Sequence, residues 1–349
     1  MPASFKSVTK PLGMRSIERA IRAGLILVCV LLAGRMTTAS AASAVAPAMS
    51  RSQITSLKIT VLVTNLAGDV DEGQGEWGYS ALIEVDGHKI LYDTGASPGL
   101  VLSNAERLGI SLADVEHVVL SHNHRDHVGG LLSLRRELMK TNPRAMSRAH
   151  VASEIFEPRL DANGVDRNGL KEIRAQYTAM GAEFVPHDRP SQLLPGVWFT
   201  AAVPRVTQEK NWSRGLRIKS ATGTVDDTVP EDAALIFDTQ DGLVILTACG
   251  HAGVVNIAEY ARKLLGSQSI LAIVGGLHLF AASDDTVLWT GGRLRSFGLR
   301  YLLAGHCTGI EATFRLRQIL GLDRKTAVVS AVGSSFTLGK GIDARELAG

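Results

Sequence analysis

Cysteine is nearly missing from this chain, with three in 349 residues. That scarcity excludes a disulfide-stapled scaffold, which needs many bridges to replace a core. Also missing is an apolar run long enough to cross a bilayer, because the stretch Ala23 to Gly34 falls short of the ~20 residues a spanning helix requires. No internal repeat and no low-complexity linker divides the chain. What remains is ordinary for a globular protein: 45% hydrophobic and 20% charged residues, with 35 glycines that suit a loop-rich α/β fold around one large core.

Charge is unevenly placed. Lys6, Lys10, Arg15, Arg19 and Arg22 lead into the apolar run, and Ala39-Ser40-Ala41 and Ala42-Ser43-Ala44 follow it. A basic start, a short apolar centre and a small-x-small end predict a secretory signal peptide over 1–44, with Met14 as a second candidate start. The alternatives are an uncleaved anchor or a different start site. No twin-arginine pair is present, and Val28 before Cys29 does not make a lipobox. Residues 45–349 then carry 31 basic against 33 acidic residues, a balance of −2. The excess of positive charge belongs to the leader, so nothing in the remainder argues for nucleic acid. The expected product is periplasmic or secreted, without a stable membrane span once the leader is cleaved. Its expected partner is a small-molecule substrate.

The densest chemistry lies in Ser121-His122-Asn123-His124-Arg125-Asp126-His127-Val128-Gly129-Gly130. Val118 to Leu120 before it predict a buried strand, and Leu131, Leu132 and Leu134 after it predict a helix. Four donor residues therefore sit on a strand-to-helix loop. His122 and His124, two apart, point the same way in extended chain and can grip one cation, while Asp126 and His127 lie where the chain turns and can reach a second. Neutral imidazoles at ~2.0 to 2.1 Å and a carboxylate suit divalent transition ions, with zinc the first choice and iron or manganese the alternatives. Two such ions ~3.5 to 4 Å apart can share a water and bring its pKa from about 15.7 toward neutrality, giving a hydroxide nucleophile.

This His-x-His-x-Asp-His string, with Leu91-Tyr92-Asp93-Thr94-Gly95 upstream, resembles the metallo-β-lactamase superfamily. Three further segments, Leu246 to Ile257, Val274 to Leu279 and Gly305 to Gly309, resemble the successive signatures of one subgroup, the 7,8-dihydropterin-6-methyl-4-(β-D-ribofuranosyl)aminobenzene-5'-phosphate synthase-like proteins. The resemblance runs from about Leu57 to Phe336 and implies a four-layer αββα sandwich. It also implies that His122 and His124 serve a first metal, Asp126 and His127 a second, and His306 completes the second. His251, at a strand end, is the candidate for the remaining first-metal ligand. Asp93 would orient ligands, or else merely cap a turn. The bridging aspartate of the superfamily has no obvious counterpart, and Cys249 stands near its place, either as a thiolate ligand or as a small buried hydrophobe. Asp126 and His278 are the candidate catalytic residues. His278 either contacts substrate or donates a proton, unless it is a histidine packed at a strand end. Cys249 and Cys307 could pair as a disulfide or remain separate buried thiols. Where the subgroup carries Glu-His-Gly, this chain has Glu76-Trp77-Gly78, so a polar pocket group gives way to an apolar wall.

His88, His117, His150 and His187 read as ordinary structural residues. Strands are expected over Leu57 to Thr64, Tyr79 to Val85, Lys89 to Tyr92, Glu116 to Leu120, Trp198 to Ala201, Ala233 to Phe237, Leu243 to Leu246, Ile270 to Val274 and Tyr301 to Ala304. Helices are expected over Pro98 to Leu108, Leu131 to Lys140, Val254 to Leu265, Thr286 to Phe297 and Ile310 to Leu320. Between about Phe156 and Pro230 the chain is polar and irregular, and part of it reads as a lid or else as a solvated insertion, with Arg205, Trp212 and Arg214 as pocket or anion contacts unless the arginines simply decorate the surface. Three functions fit: a metal-dependent hydrolase of an ester, lactone or phosphoester; a pterin-linked transferase; or a noncatalytic metal-binding or sensor protein.

Overall fold

Alternation along the apolar segments explains the layers. Strand side chains point to opposite faces at successive residues, so an apolar run buried on both sides must meet two different cores. The computed structural model describes residues 52–69, 71, 73–212, 215–220, 223–266 and 269–348. The leader, Cys29 and Arg214 lie outside them. One sheet contains β1 (Leu57–Val63), β2 (Ser80–Val85), β3 (His88–Tyr92), β4 (His117–Val119), β5 (Arg148–Ala152) and β6 (Glu183–His187), joined by β16 (Ser335–Thr337) and β17 (Gly341–Asp343), in the order β17-β16-β1-β2-β3-β4-β5-β6. The other contains β7 (Ser191–Leu194), β8 (Val197–Phe199), β11 (Leu235–Thr239), β12 (Gly242–Thr247), β13 (Ile270–Gly275), β14 (Tyr301–Ala304) and β15 (Ala327–Val329), in the order β15-β14-β13-β12-β11-β8-β7. A separate hairpin is formed by β9 (Arg217–Ser220) and β10 (Gly223–Asp226).

Between the sheets lies a core that includes Ile59, Val61, Tyr92, Leu235, Phe237, Val244 and Leu246. The residues between them in sequence face outward: Ala234, Ile236, Leu243 and Ile245 meet helices α5 (Val254–Leu264), α6 (Asp284–Ser296) and α7 (Ile310–Leu320). On the other side, Leu62, Leu82 and Leu91 meet α1 (Leu100–Arg107), α3 (Leu131–Leu138) and α4 (Leu170–Ala179). Two short helices, α2 (Arg125–Val128) and α8 (Arg345–Ala348), complete the set. The result is the expected αββα order. Truncating a fully buried residue of the central layer such as Phe237 would cost about 3 to 5 kcal/mol.

Both sheets change from antiparallel to parallel pairing partway across. In the first sheet β2 and β3 are antiparallel, while β3, β4, β5 and β6 are parallel. In the second, β11 and β12 are antiparallel, while β12 through β15 are parallel. Loops leaving the carboxyl ends of the parallel strands are where α/β sheets place ligands. All the donor residues named above leave β3, β4, β12, β13 or β14.

Departures from expectation lie between residues 156 and 230, at β5, and near the carboxyl end, where β15, β16 and β17 join the sheets without having been expected. Besides the expected strand β8, residues 156–230 supply α4, β6 and β7 to the sandwich, and the remainder is loop or hairpin. Pro186 in β6 sits on an edge strand, where a missing N–H is tolerated, and it disguises the strand in sequence. α6 begins at Asp284 rather than Thr286, because the Ser283 side chain caps it by accepting from the Thr286 N–H. His117, His150 and His187 are more than isolated structural residues. His117 Nδ1 lies 2.9 Å from His150 Nε2, and His150 Nδ1 lies 3.0 Å from His187 Nε2, forming an imidazole chain across β4, β5 and β6. Among the described residues no helix is long and apolar enough to cross a membrane.

Candidate metal centre

The loop after β4 is fixed before its side chains are considered. His124 is the N-cap of α2, extended at φ −67° and ψ 143°, so His122 and His124 lie on the strand side while Asp126 and His127 lie in the first helical turn. The His127 carbonyl accepts from both the Thr94 N–H at 2.7 Å and the Thr94 hydroxyl at 2.9 Å. A Cβ at Gly129 would come 2.2 Å from the Ala96 carbonyl oxygen, and one at Gly130 would come 2.2 Å from that of Thr94. Only glycine lets the two loops approach this closely.

Asp93 is a hub for ligand orientation. It is fully buried in the left-handed region at φ 53°, and its Oδ1 accepts from the Ser121 N–H at 2.7 Å. Its Oδ2 accepts from the Ser121 hydroxyl at 2.6 Å and from His127 Nδ1 at 2.7 Å. Ser121 Oγ in turn lies 2.8 Å from His122 Nδ1. One carboxylate therefore fixes His127 directly and His122 through a hydroxyl, leaving both Nε2 atoms turned to the centre. This geometry favours the orienting role of Asp93 over a simple turn cap. His251 Nδ1 reaches the Asn211 carbonyl at 2.7 Å, which leaves its Nε2 buried with no hydrogen-bond partner.

The donors group as two triads. His122, His124 and His251 present atoms all within 4.8 Å of one another, and so do Asp126, His127 and His306. His122 Nε2 is 3.0 Å from His124 Nδ1, and His127 Nε2 is 3.2 Å from His306 Nε2. Asp126 Oδ2 is 3.4 Å from His306 Nε2 and 3.5 Å from His127 Nε2. Ring nitrogens facing each other at this spacing, with one buried Nε2 unpartnered, fit a cation placed among them. Cys249 Sγ is 3.4 Å from His127 Nε2, and a further group joins Cys249, His278 and Cys307. Both cysteines are free thiols, with their sulfurs 3.2 Å apart, so the disulfide alternative is not realised.

Electrostatics divide the site. Burial and neighbouring imidazoles hold His122 and His251 well below the ordinary histidine range, and burial brings His124 down to about 4. These imidazoles are neutral and ready to ligate. Burial also disfavours charge on His127, but the Asp126 and Asp93 carboxylates outweigh it and raise His127 to about 10. Burial opposes ionisation of Asp126, and the His127 and His306 imidazoles overcome it, holding the carboxyl far below the usual range.

Several contributors had no signature in sequence. The Asn211 carbonyl orients His251; Glu209 accepts from the Val255 and Asn256 N–H groups at the start of α5; Asp232 accepts from the Ala252 N–H. Arg205 turns its Nη2 to the Thr228 and Val229 carbonyls, while its Nε is buried without a partner. Trp212 does line a cleft of about 750 Å³, together with Lys210, Asn211, His278, Phe280 and Trp289. Trp77, 52% exposed, packs its ring 5.1 Å from that of His306 and 5.7 Å from that of Phe280, walling the approach with apolar surface.

An αββα sandwich with two imidazole-rich donor triads at the carboxyl ends of its strands defines a class of α/β proteins with residues able to hold divalent ions. Residues 78–260 match the metallo-β-lactamase superfamily, and the chain belongs to it. A Methanocaldococcus jannaschii protein named 7,8-dihydropterin-6-methyl-4-(β-D-ribofuranosyl)-aminobenzene-5'-phosphate synthase is 29% identical over 272 residues, covering 76% of this chain and 92% of its own length. Within the superfamily, the chain is a member of the subgroup typified by that synthase. A solved metal-dependent hydrolase of the β-lactamase superfamily superposes with a TM-score of 0.60 at 24% identity, over 76% of this chain and 93% of its own. A metallo-β-lactamase fold protein from Bacillus subtilis gives 0.53 at 14% identity, over 81% and 100%. Both structures share the fold.

Proposed function

We propose that this protein is an exported hydrolase of small ester, lactone or phosphoester substrates that works with two divalent transition ions, zinc first among them. The observation that carries the reading is the pair of donor triads, His122/His124/His251 and Asp126/His127/His306, side by side at the sheet edge. When bound, two such ions would acidify a shared water and polarise the electrophile. The chain's own residues prepare that chemistry. Asp93 and Asn211 lock ring tautomers, and Asp126 supplies negative charge between His127 and His306. Trp77 and Phe280 exclude water from one side, while the stretch Gln208 to Trp212 walls the cleft and takes the substrate-selecting part expected of a lid.

His278, read from sequence as a substrate contact or proton donor or else a packed strand-end histidine, adopts φ 50° and sets its ring 4.3 Å from that of His251 at a 50° tilt, with its Nδ1 buried and unpartnered. Those surroundings suit a ligand, a role developed below. The Methanocaldococcus jannaschii relative supports a second reading, a pterin-linked transferase. The proposed export weighs against it, because pterin and ribosyl-phosphate intermediates are cytoplasmic. Metal analysis of the mature protein, with an ester, lactone and phosphodiester panel, tests the proposal. We expect at least two bound transition ions and turnover of one class, abolished by His124→Ala or Asp126→Ala in folded protein. Absence of stoichiometric metal in protein prepared without chelators, or metal without turnover of any class, refutes it.

A further inference from the structure

Three neighbouring parallel strands each deliver one soft or borderline donor to a single point beside the two triads, where Cys249 also lies within ligating reach of His122 and His127. Cys249 follows β12, His278 follows β13 and Cys307 follows β14, and their donor atoms all lie within 4.8 Å of one another. Both thiols are buried, at 3% and 1% exposure, and the unpartnered Nδ1 of His278 is buried beside them. Room for the group is provided by Gly276, where a Cβ would come 2.9 Å from Cys307 Sγ and 2.1 Å from the Ala248 carbonyl oxygen.

The geometry points to a third metal site, in which Cys249, Cys307 and His278 hold a thiophilic ion of the zinc class beside the two-ion centre. The spacing of the sulfurs supports chelation over a disulfide. Thiolates ~2.3 Å from a tetrahedral ion stand roughly 3.7 Å apart, so the observed 3.2 Å must open by about half an ångström. A disulfide at ~2.05 Å would require the same pair to close by more than about 1 Å. Two sulfurs and an imidazole select zinc, cadmium or copper(I) over magnesium, calcium or manganese. Three protein donors leave a fourth position open, and Phe280, whose ring is 5.4 Å from that of His278, lies on the cleft side. The inference is independent of the hydrolase reading, since it needs metal binding alone.

The test is titration of the reduced, metal-stripped mature protein with cobalt(II) or cadmium(II) as the only added ligand. Wild type should bind one ion beyond the two triads and develop a thiolate-to-cobalt charge-transfer band. Cys307→Ser should bind one ion fewer and lose at least half of that band. His278→Ala should weaken the same ion about tenfold or more, whereas His124→Ala should lower the count and keep the band. Cadmium NMR of the wild type guards against a variant that does not fold, and should show one ion with two sulfur ligands. Equal stoichiometry and equal band in wild type and folded Cys307→Ser would overturn the proposal. So would cadmium spectra with no two-sulfur ion, or a persistent Cys249–Cys307 disulfide that excludes the ion.

Discussion

Replacing His150 with leucine should remove most of a specific acid sensitivity. His150 is 7% exposed and lies between His117 and His187 in the imidazole chain, with Arg148 as a further cationic neighbour and no carboxylate partner of its own. Burial, then the neighbouring imidazoles and Arg148, bring it down to about 3 from 6.5. Because the folded value is the lower one, the unfolded chain takes up the proton first, and stability falls as pH drops below about 6.5 toward 3. Between about pH 7.5 and about pH 5 the loss from this one group is about 2 kcal/mol, at 1.36 kcal/mol per pKa unit. His117 and His187 are lowered by burial as well and add to the slope, moderated by Glu116 and Asp188 beside them. The leucine variant loses two hydrogen bonds and should be about 1 to 2 kcal/mol less stable near neutrality. That gap should close near pH 5. Denaturant melts of both proteins in excess chelator, over this pH range, read the difference directly, because the ligand histidines titrate in both and cancel. Parallel stability curves for wild type and His150→Leu would show that the chain does not exclude protons as argued.

Asp93→Asn should lower metal affinity by about 10- to 100-fold, by leaving one acceptor oxygen where the Ser121 N–H, the Ser121 hydroxyl and His127 Nδ1 converge on two; chelator competition measures it, and unchanged affinity would count against the hub. Gly130→Ala, forced against the Thr94 carbonyl, should cost about 1 to 3 kcal/mol and displace the ligand loop. Wild-type melting and metal content in that variant would contradict the close approach. Export should yield a mature chain cut after Ala44 or Ala41, as read by N-terminal sequencing of the cell-envelope fraction, and a product still starting at Met1 or Met14 in the cytosol would disprove it.

Where donors share one loop, sequence was enough to list them. His122 to His127 occupy six consecutive positions, and His251 and His306 each follow an apolar strand and sit beside glycine. Nine strands, β1 to β4, β8 and β11 to β14, were legible from their apolar runs, whereas β5, β15, β16 and β17 are segments of three to five residues, too short to read as runs. Residues 156–230 were harder, since the edge strands Glu183–His187 and Ser191–Leu194 are short and partly exposed, and the first of them is interrupted by Pro186. The support from Asn211, Glu209 and Asp232 arises in loops whose course depends on distant packing. The imidazole chain escaped notice for a related reason: three unremarkable histidines become one network only when β4, β5 and β6 lie in register.

The position of β16 has a consequence for how the molecule is made. This strand comes from near the carboxyl end, yet it pairs with β1, through Phe336 opposite Ile59, inside the first sheet. During synthesis β1 therefore has an open edge until some 270 further residues have emerged. The amino-terminal half cannot settle early as an independent unit, and such late, sequence-distant closure slows folding. For a chain exported as proposed above, such late closure would keep the polypeptide threadable while it is being built.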